Sequence, residues 1–266
     1  AIAGWRKILE LLDTRVDIIE PDAGHELPRE ALSITAVNVN FRYRTGPLVL
    51  RDVSLQIPAG TNVAVVGETG SGKTTFAKLL CRLADPISGH IELGGVRLDQ
   101  VSPESRLGSV RMVPQDGFLF NTTLRENLRL GRLGASDADI GAAVSTLALD
   151  RWVAGLPDGL DTEVGARGGY LSVGERQLVA LIRAALANPG LLILDEATSS
   201  VDPETDRALT DTIARLSSGR TVVSIAHRLA TAEAADLIVV FDKGEIVEVG
   251  RHHELVDASG IYGRLH

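Results

Sequence analysis

Residues Gly67-Glu68-Thr69-Gly70-Ser71-Gly72-Lys73-Thr74 place glycines, one lysine and a hydroxyl at the spacing G-x-x-x-x-G-K-[ST]. These residue types at this spacing suit the gripping of phosphate. Glycines let a backbone close around phosphate oxygens without a Cβ in the way. Lys73 is placed to reach the β- and γ-phosphates of a nucleoside triphosphate, and the Thr74 hydroxyl to ligate Mg²⁺. A second set follows further on, in Leu191-Leu192-Ile193-Leu194-Asp195-Glu196, where an apolar run ends in two carboxylates. Beside a phosphate loop such a pair has a chemical use: Asp195 to hold Mg²⁺ and Glu196 to orient and deprotonate an attacking water.

Both sets need particular elements to aim them. Val63-Ala64-Val65-Val66 reads as a buried strand entering the loop. Phe76, Ala77, Leu79, Leu80 and Leu83 recur at helical spacing after it. A strand running through glycines into a helix N-terminus directs several N–H groups and the positive end of the helix dipole at one spot. Leu191–Leu194 and Thr221-Val222-Val223-Ser224-Ile225-Ala226 are short, apolar and β-rich, as central parallel strands are. The end of such a strand is where α/β proteins build ligand sites.

Elsewhere the pattern changes. Residues from about 33 to 60 alternate in places, as in Val53, Leu55 and Ile57, which predicts antiparallel strands with one wet face. Residues from roughly 120 to 187 read as helical, with a capping box at Ser136 and Asp139 and a buried helix through Leu178–Ala187. Phe241 to Ile246 predicts a hairpin at the sheet edge. Residues 1–30 hold an amphipathic stretch, Trp5 to Leu12, and an acidic segment with Pro21 and Pro28, the look of a connector.

Composition excludes several classes. The chain has 266 residues, 44% hydrophobic and 23% charged, enough to bury a large core. Its formal net charge of −8 argues against a broad nucleic-acid surface, so no nucleic-acid partner is expected. No run of 18 uncharged apolar residues occurs. The first residue is Ala1 and no signal peptide is visible, so a fragment of a longer chain is expected. Cys81 falls on the apolar face after the loop and reads as a core residue. His252-His253 lacks a third ligand and reads as a solvated turn, not a metal site.

With those motifs in place the chain resembles the nucleotide-binding domain of an ATP-binding cassette (ABC) transporter, from about residue 33 to the C-terminus. Leu171-Ser172-Val173-Gly174-Glu175 stands where that family carries its signature, Leu-Ser-Gly-Gly-Gln. Gln115 matches the Q-loop, Ser200-Val201-Asp202 the D-loop, His227 the switch histidine and Tyr43 the aromatic that stacks on adenine. Taken alone, Gln115 is a loop glutamine, His227 a strand-end histidine and Tyr43 a strand aromatic. Thr162-Glu163-Val164-Gly165, Phe118-Leu119-Phe120 and Gly250 through Leu255 resemble the exporter type.

The resemblance implies an α/β fold: a P-loop NTPase core with a mixed, mostly parallel sheet, an antiparallel β subdomain, and a helical signature subdomain over roughly 120–187. Residues 1–30 become a connector from a preceding membrane domain, and 31–266 the nucleotide-binding domain. It implies ATP and Mg²⁺ as ligands. Glu196, His227, Gln115 and Lys73 are the implied catalytic groups, and Thr74, Gln115 and Asp195 the metal ligands. The nucleotide contacts implied are Tyr43, Gly67, Glu68, Thr69, Gly70, Ser71, Gly72, Lys73, Thr74, Thr75, Ser172, Gly174 and Asp202. The implied partners are a second nucleotide-binding domain, the same or different, and an exporter's transmembrane domain at the cytoplasmic face of the cell membrane. A soluble ABC ATPase of DNA repair or translation, and a nucleotide-gated interaction module, are the alternatives. The signature also departs from the family. Val173 adds a branched side chain where glycine is usual, and Glu175 puts an acid where an amide is usual, so a weakened site for a triphosphate's charge is expected there.

Overall fold

Alternation of apolar and polar residues in the first third of the chain builds a sheet with one dry face. In the computed structural model, which describes residues 4–5, 18–44, 46–115, 117–195, 203–226, 229–257 and 260–265, β1 (Ile34–Phe41) and β2 (Leu50–Ile57) pair antiparallel. Val53, Leu55 and Ile57 are buried, as their spacing predicts. After β3 (Asn62–Val66) and α1 (Lys73–Leu80), β4 (Ser88–Leu93) and β5 (Val96–Arg97) complete a four-stranded sheet in the order β2-β1-β4-β5.

The second sheet is assembled from strands far apart in the chain. α2 (Pro103–Ser109) leads into β6 (Val110–Val113), followed by α3 (Leu124–Arg129), α4 (Asp137–Thr146), α5 (Asp150–Gly155) and α6 (Val173–Ala187). β7 (Leu191–Asp195), α7 (Pro203–Ser217), β8 (Thr221–Ile225), α8 (Leu229–Glu233), β9 (Leu237–Asp242) and β10 (Glu245–Gly250) come next, and α9 (His252–Val256) and α10 (Ile261–Leu265) close the chain. The strand order is β10-β9-β3-β8-β7-β6, parallel throughout except for the β9–β10 pair. Lys243 and Gly244 both take positive φ, 47° and 89°, which a two-residue type I′ turn requires. The hairpin at the sheet edge is therefore present as expected.

Helix α1 lies between the two sheets. Phe76, Ala77, Leu79 and Leu80 join the dry face of the antiparallel sheet and Val63, Val65, Ile193, Val223 and Phe241 of the parallel sheet in one cluster. Leu192, Leu194 and Val222, on the opposite face of the parallel strands, pack with the helical segment. Strand periodicity of two thus splits one sheet between two cores. Cys81 packs against the first cluster, and burial pushes its thiol up to about 12, so it is an unreactive core residue.

Leu83 departs from the expected helical stripe. α1 stops at Leu80, Arg82 turns the chain at φ 50°, and Leu83 is 62% exposed. The helical segment is also less continuous than its pattern suggests: four helices are joined through short 3-10 turns at Gly159–Asp161 and Ala166–Gly168. The predicted cap and the predicted buried helix both form. Ser136 and Asp139 make a reciprocal capping box on α4, and the buried helix appears as α6. Apart from Trp5, the Trp5–Leu12 stretch lies outside the described residues. Among the described residues no helix is long and apolar enough to cross a membrane, and no three His, Cys, Asp or Glu side chains gather as a metal site, at His252-His253 or elsewhere.

Candidate nucleotide site

The phosphate loop is shaped by close backbone approaches. Gly67 sits at φ 143°, and a Cβ there would lie 2.1 Å from the Phe241 carbonyl oxygen of β9. At Gly72, φ 111°, a Cβ would press on Leu50 and the Val49 carbonyl. The hairpin backs the loop, since the Gly244 N–H donates to the Ser71 carbonyl at 2.9 Å. α1 begins at Lys73 with no side-chain cap on its first turn, which leaves its N–H groups for an anion. Lys73 is buried, and its Nζ donates to the Gly67 and Glu68 carbonyls at 2.7 and 2.8 Å. The Ser71 hydroxyl is buried, with no hydrogen-bond partner among the described residues. An open cleft of about 460 Å³ is lined by Val49, Thr69, Gly70, Gly72, Lys73, Thr74 and Thr75, with Thr74 exposed to it. Tyr43 stands at its rim, 49% exposed, edge-on to Phe41 and with its hydroxyl 3.2 Å from Thr75 Oγ1.

The parallel register brings the remaining strand ends to this loop. β3, β8, β7 and β6 are consecutive neighbours, with Val65 opposite Ile225 and Ile225 opposite Asp195. Half-buried Asp195 is the last residue of β7, and Gln115, exposed, follows β6 by two residues. Glu196, the D-loop with Asp202, and His227 lie outside the described residues. The chain reaches Glu196 and His227 directly from the ends of β7 and β8. The Gln115 carbonyl accepts a long hydrogen bond, 3.4 Å, from Gln177 of α6. Past it, Phe118 and Phe120 stand exposed in an edge-to-face pair. Arg183 of α6, drawn down to about 10 by burial, donates to the Phe118 carbonyl and to Asn127 at 2.7–2.8 Å and holds that segment in place.

The signature forms the start of α6. Ser172 is its N-cap: Ser172 Oγ accepts from the Glu175 N–H at 3.2 Å, and Glu175 Oε2 accepts from the Ser172 N–H at 2.8 Å. Glu175 Oε1 also accepts from the Trp152 indole N–H at 3.2 Å. Gly174 is buried, and neither it nor Ser172 lines the cleft around Lys73.

Residues 50–199 match the family model described as ABC transporter. The chain belongs to the ABC transporter family. This ABC chain is 44% identical over 265 residues to an uncharacterized ABC transporter ATP-binding protein, YwjA, of Bacillus subtilis, covering 100% of itself and 46% of that protein. It is 39% identical over 259 residues to an ATM1-type heavy metal exporter of Novosphingobium aromaticivorans, 97% of this chain and 43% of the other. A solved bacterial Atm1-family ABC exporter with ATP bound matches it with a TM-score of 0.90 at 38% identity, over 99% of this chain and 46% of that one. The chain thus spans about half the length of the relatives it matches, and corresponds to the ATP-binding portion of exporters. The α/β fold with its two sheets is that of an ABC nucleotide-binding domain.

Within the ABC domain, the altered signature is built into the capped first turn of α6. Val173 is the first residue of a right-handed helix, so its backbone requires no glycine. Glu175 keeps its charge, but both its oxygens accept hydrogen bonds, one from the helix cap and one from the Trp152 indole. Burial pushes its carboxyl up, but the hydrogen bonds from Ser172 and Trp152 outweigh this and hold it below the usual range. Trp152 and Gln177 were invisible to sequence reasoning, because contacts across 23 and 62 residues leave no local signal.

That carboxylate makes the cap dependent on pH. A folded value below the unfolded one adds stability above about pH 4.3, and the contribution is lost as pH falls through the folded value. Glu175→Ala is expected to cost about 1 kcal/mol at pH 7, the scale of a lost helix cap. Urea midpoints of variant and parent should converge as pH falls through the lowered value of the folded carboxyl. Equal midpoints at pH 7 would show that the cap contributes nothing.

Proposed function

We propose that this chain is the ATP-hydrolysing domain of an exporter, working as one of two such domains arranged head to tail at the cytoplasmic face of the cell membrane. The observation that carries this is the split geometry of the site. The phosphate loop and the ends of β8, β7 and β6 share one edge, whereas Ser172 and Gly174 line no part of that cleft. A capped helix N-terminus that takes no part in lining its own phosphate cleft suits a triphosphate held by a second domain. The cleft is then completed by another copy or by a different partner chain.

Within the cleft, Tyr43 stacks on the base, and the N–H groups of Gly67–Thr75 cradle the phosphates. Phosphoryl transfer to water passes through a loose transition state, so catalysis is mostly positioning and charge neutralisation. Lys73 exchanges the carbonyls of Gly67 and Glu68 for phosphate oxygens, which matches its charge to an anion in a buried setting. Glu196 takes the proton of the attacking water, and His227 steadies the γ-phosphate from the end of β8. Asp202 faces the nucleotide across the dimer, and Gln115 senses the water. Thr74, Gln115 and Asp195 offer a hydroxyl, a carboxamide and a carboxylate, all oxygen donors fit for a hard cation. Bound there, Mg²⁺ would neutralise the charge that develops on the phosphates. The exposed Phe118 and Phe120, held by Arg183, form a surface for the transmembrane domain.

The test is nucleotide binding and turnover by the purified full-length protein. Mg²⁺-dependent ATP hydrolysis is expected in the parent, and Lys73→Ala is expected to weaken ATP binding itself by roughly 10²-fold, the worth of about two charge-assisted hydrogen bonds. Unaltered affinity in that variant would sink the assignment of the cleft.

A further inference from the structure

The segment before β1 is fastened to the domain at several points. The His25 N–H donates to the Gln100 carbonyl at 2.8 Å, and the Ser102 N–H returns a bond to the His25 carbonyl at 3.0 Å. The Leu27 N–H donates to Ser105 Oγ at 2.8 Å, and Leu27 and Leu32 are buried. At its upstream end a single carboxylate meets two arginines. Glu20 accepts from Arg82 at 2.9 Å and from both terminal nitrogens of Arg106 at 3.0 and 2.6 Å. The Arg82 and Arg106 side chains are only 2% and 10% exposed, against 39% for Glu20. Arg82 also grips the Ile19 carbonyl at 2.8 Å and Asp85. Such forked, charge-assisted contacts fix direction as well as position.

The placement of Arg82 gives this clamp a mechanical meaning. α1 begins at Lys73 in the phosphate loop and ends at Leu80, and Arg82 is the second residue past its end. One short, mostly buried helix therefore separates the triphosphate cleft from the connector, a span of about 12 Å for eight residues.

We propose that Glu20 is a positioning residue that welds the connector to the far end of the phosphate-loop helix, so that the Ile19–Glu20 end of the connector moves as one body with α1. The proposal rests on the reading of this chain as a nucleotide-driven domain attached to a preceding segment. It adds a route by which movement at the cleft reaches that segment: Lys73, α1, Arg82, Glu20. Removing the carboxylate would leave two buried guanidinium groups facing each other, with Asp85 and the more distant Asp99 as the acids near Arg82 among the described residues, and the upstream end of the connector held by the single bond from Arg82 to the Ile19 carbonyl. The hydrogen bond from Arg106, helped by its charge and that of Arg82 and opposed by burial, keeps the Glu20 carboxyl below its ordinary range and the clamp charged at neutral pH.

The test uses the full-length protein with Cys81→Ser, spin-labelled at Ile19→Cys on the connector and Glu245→Cys beside the phosphate loop, both side chains being exposed. The distance distribution is measured without nucleotide and with ATP and Mg²⁺, alongside ATP hydrolysis. With Glu20 present the distribution should be narrow in both states. In Glu20→Ala it should broaden about two-fold or more, as an unpinned linker regains its freedom. Glu20→Gln, which keeps a hydrogen-bond acceptor without the charge, serves if the alanine variant does not fold, and should broaden to a lesser degree. ATP hydrolysis should stay within about two-fold of the parent in both variants, since neither touches the reacting atoms. A narrow distribution in the variants, or a broad one in the parent, would overturn the clamp. Absence of ATP hydrolysis in the parent would instead overturn the functional reading beneath it.

Discussion

Glu196→Gln is expected to bind ATP as tightly as the parent and to hydrolyse it roughly 10²-fold or more slowly, about 3 kcal/mol of lost transition-state stabilisation. Glutamine keeps the size and one oxygen of glutamate but cannot accept the proton of the attacking water. The variant should therefore accumulate the ATP-bound, closed pair of domains, seen as a nucleotide-dependent shift in size-exclusion elution. Steady-state phosphate release, with ATP affinity measured separately, checks the first part. Turnover at the parental rate would remove Glu196 from the role of base. It would also leave Asp195, at the end of β7, as the carboxylate to examine next.

The second large effect is expected at a residue with no side chain. Gly67→Ala would put a Cβ 2.1 Å from the Phe241 carbonyl, in a backbone conformation that L-residues avoid. That oxygen belongs to β9, which pairs with β3 up to Val66, so it has no room to rotate away. Overpacking and backbone strain together are expected to cost about 2–4 kcal/mol of stability. Nucleotide affinity should fall with it, because the loop N–H groups would no longer converge. Gly141→Ala is the matching control. It lies in α4 with nothing within 4 Å of the added Cβ, and should raise stability by about 0.5–1 kcal/mol. Thermal melting and ATP titration of both variants separate the two. Similar behaviour of the pair would mean that the loop tolerates a Cβ after all.

Several parts of this fold were legible because they are local. The glycine spacing of 67–72 announces a loop that only small residues can form, and the apolar runs at 63–66, 191–194 and 221–226 are buried strands wherever they sit. Ser136 with Asp139 and Ser172 with Glu175 are three residues apart, so each cap is written within one helical turn. Leu83 was misplaced for the opposite reason. Its spacing continued the stripe of α1, but the positive φ of Arg82, which ends the helix, is held by bonds to Glu20 and Ile19 more than 60 residues away.

The meaning of Glu175 was likewise decided by distance. From its type it is an acid set where phosphate charge is expected; in the fold its oxygens face the Ser172 N–H and the Trp152 indole. Sequence alone determined which residues could do the chemistry and the order of strand, loop and helix that carries them, because those depend on side-chain type and short-range period. Tertiary structure decided that β3, β8, β7 and β6 stand side by side, that Ser172 does not line the cleft of its own chain, and that Glu20 bridges Arg82 and Arg106. Those facts depend on parallel strand pairing and on buried ion pairs between segments far apart in the chain, which take their energy from the whole packed domain and leave no trace in any local window of residues.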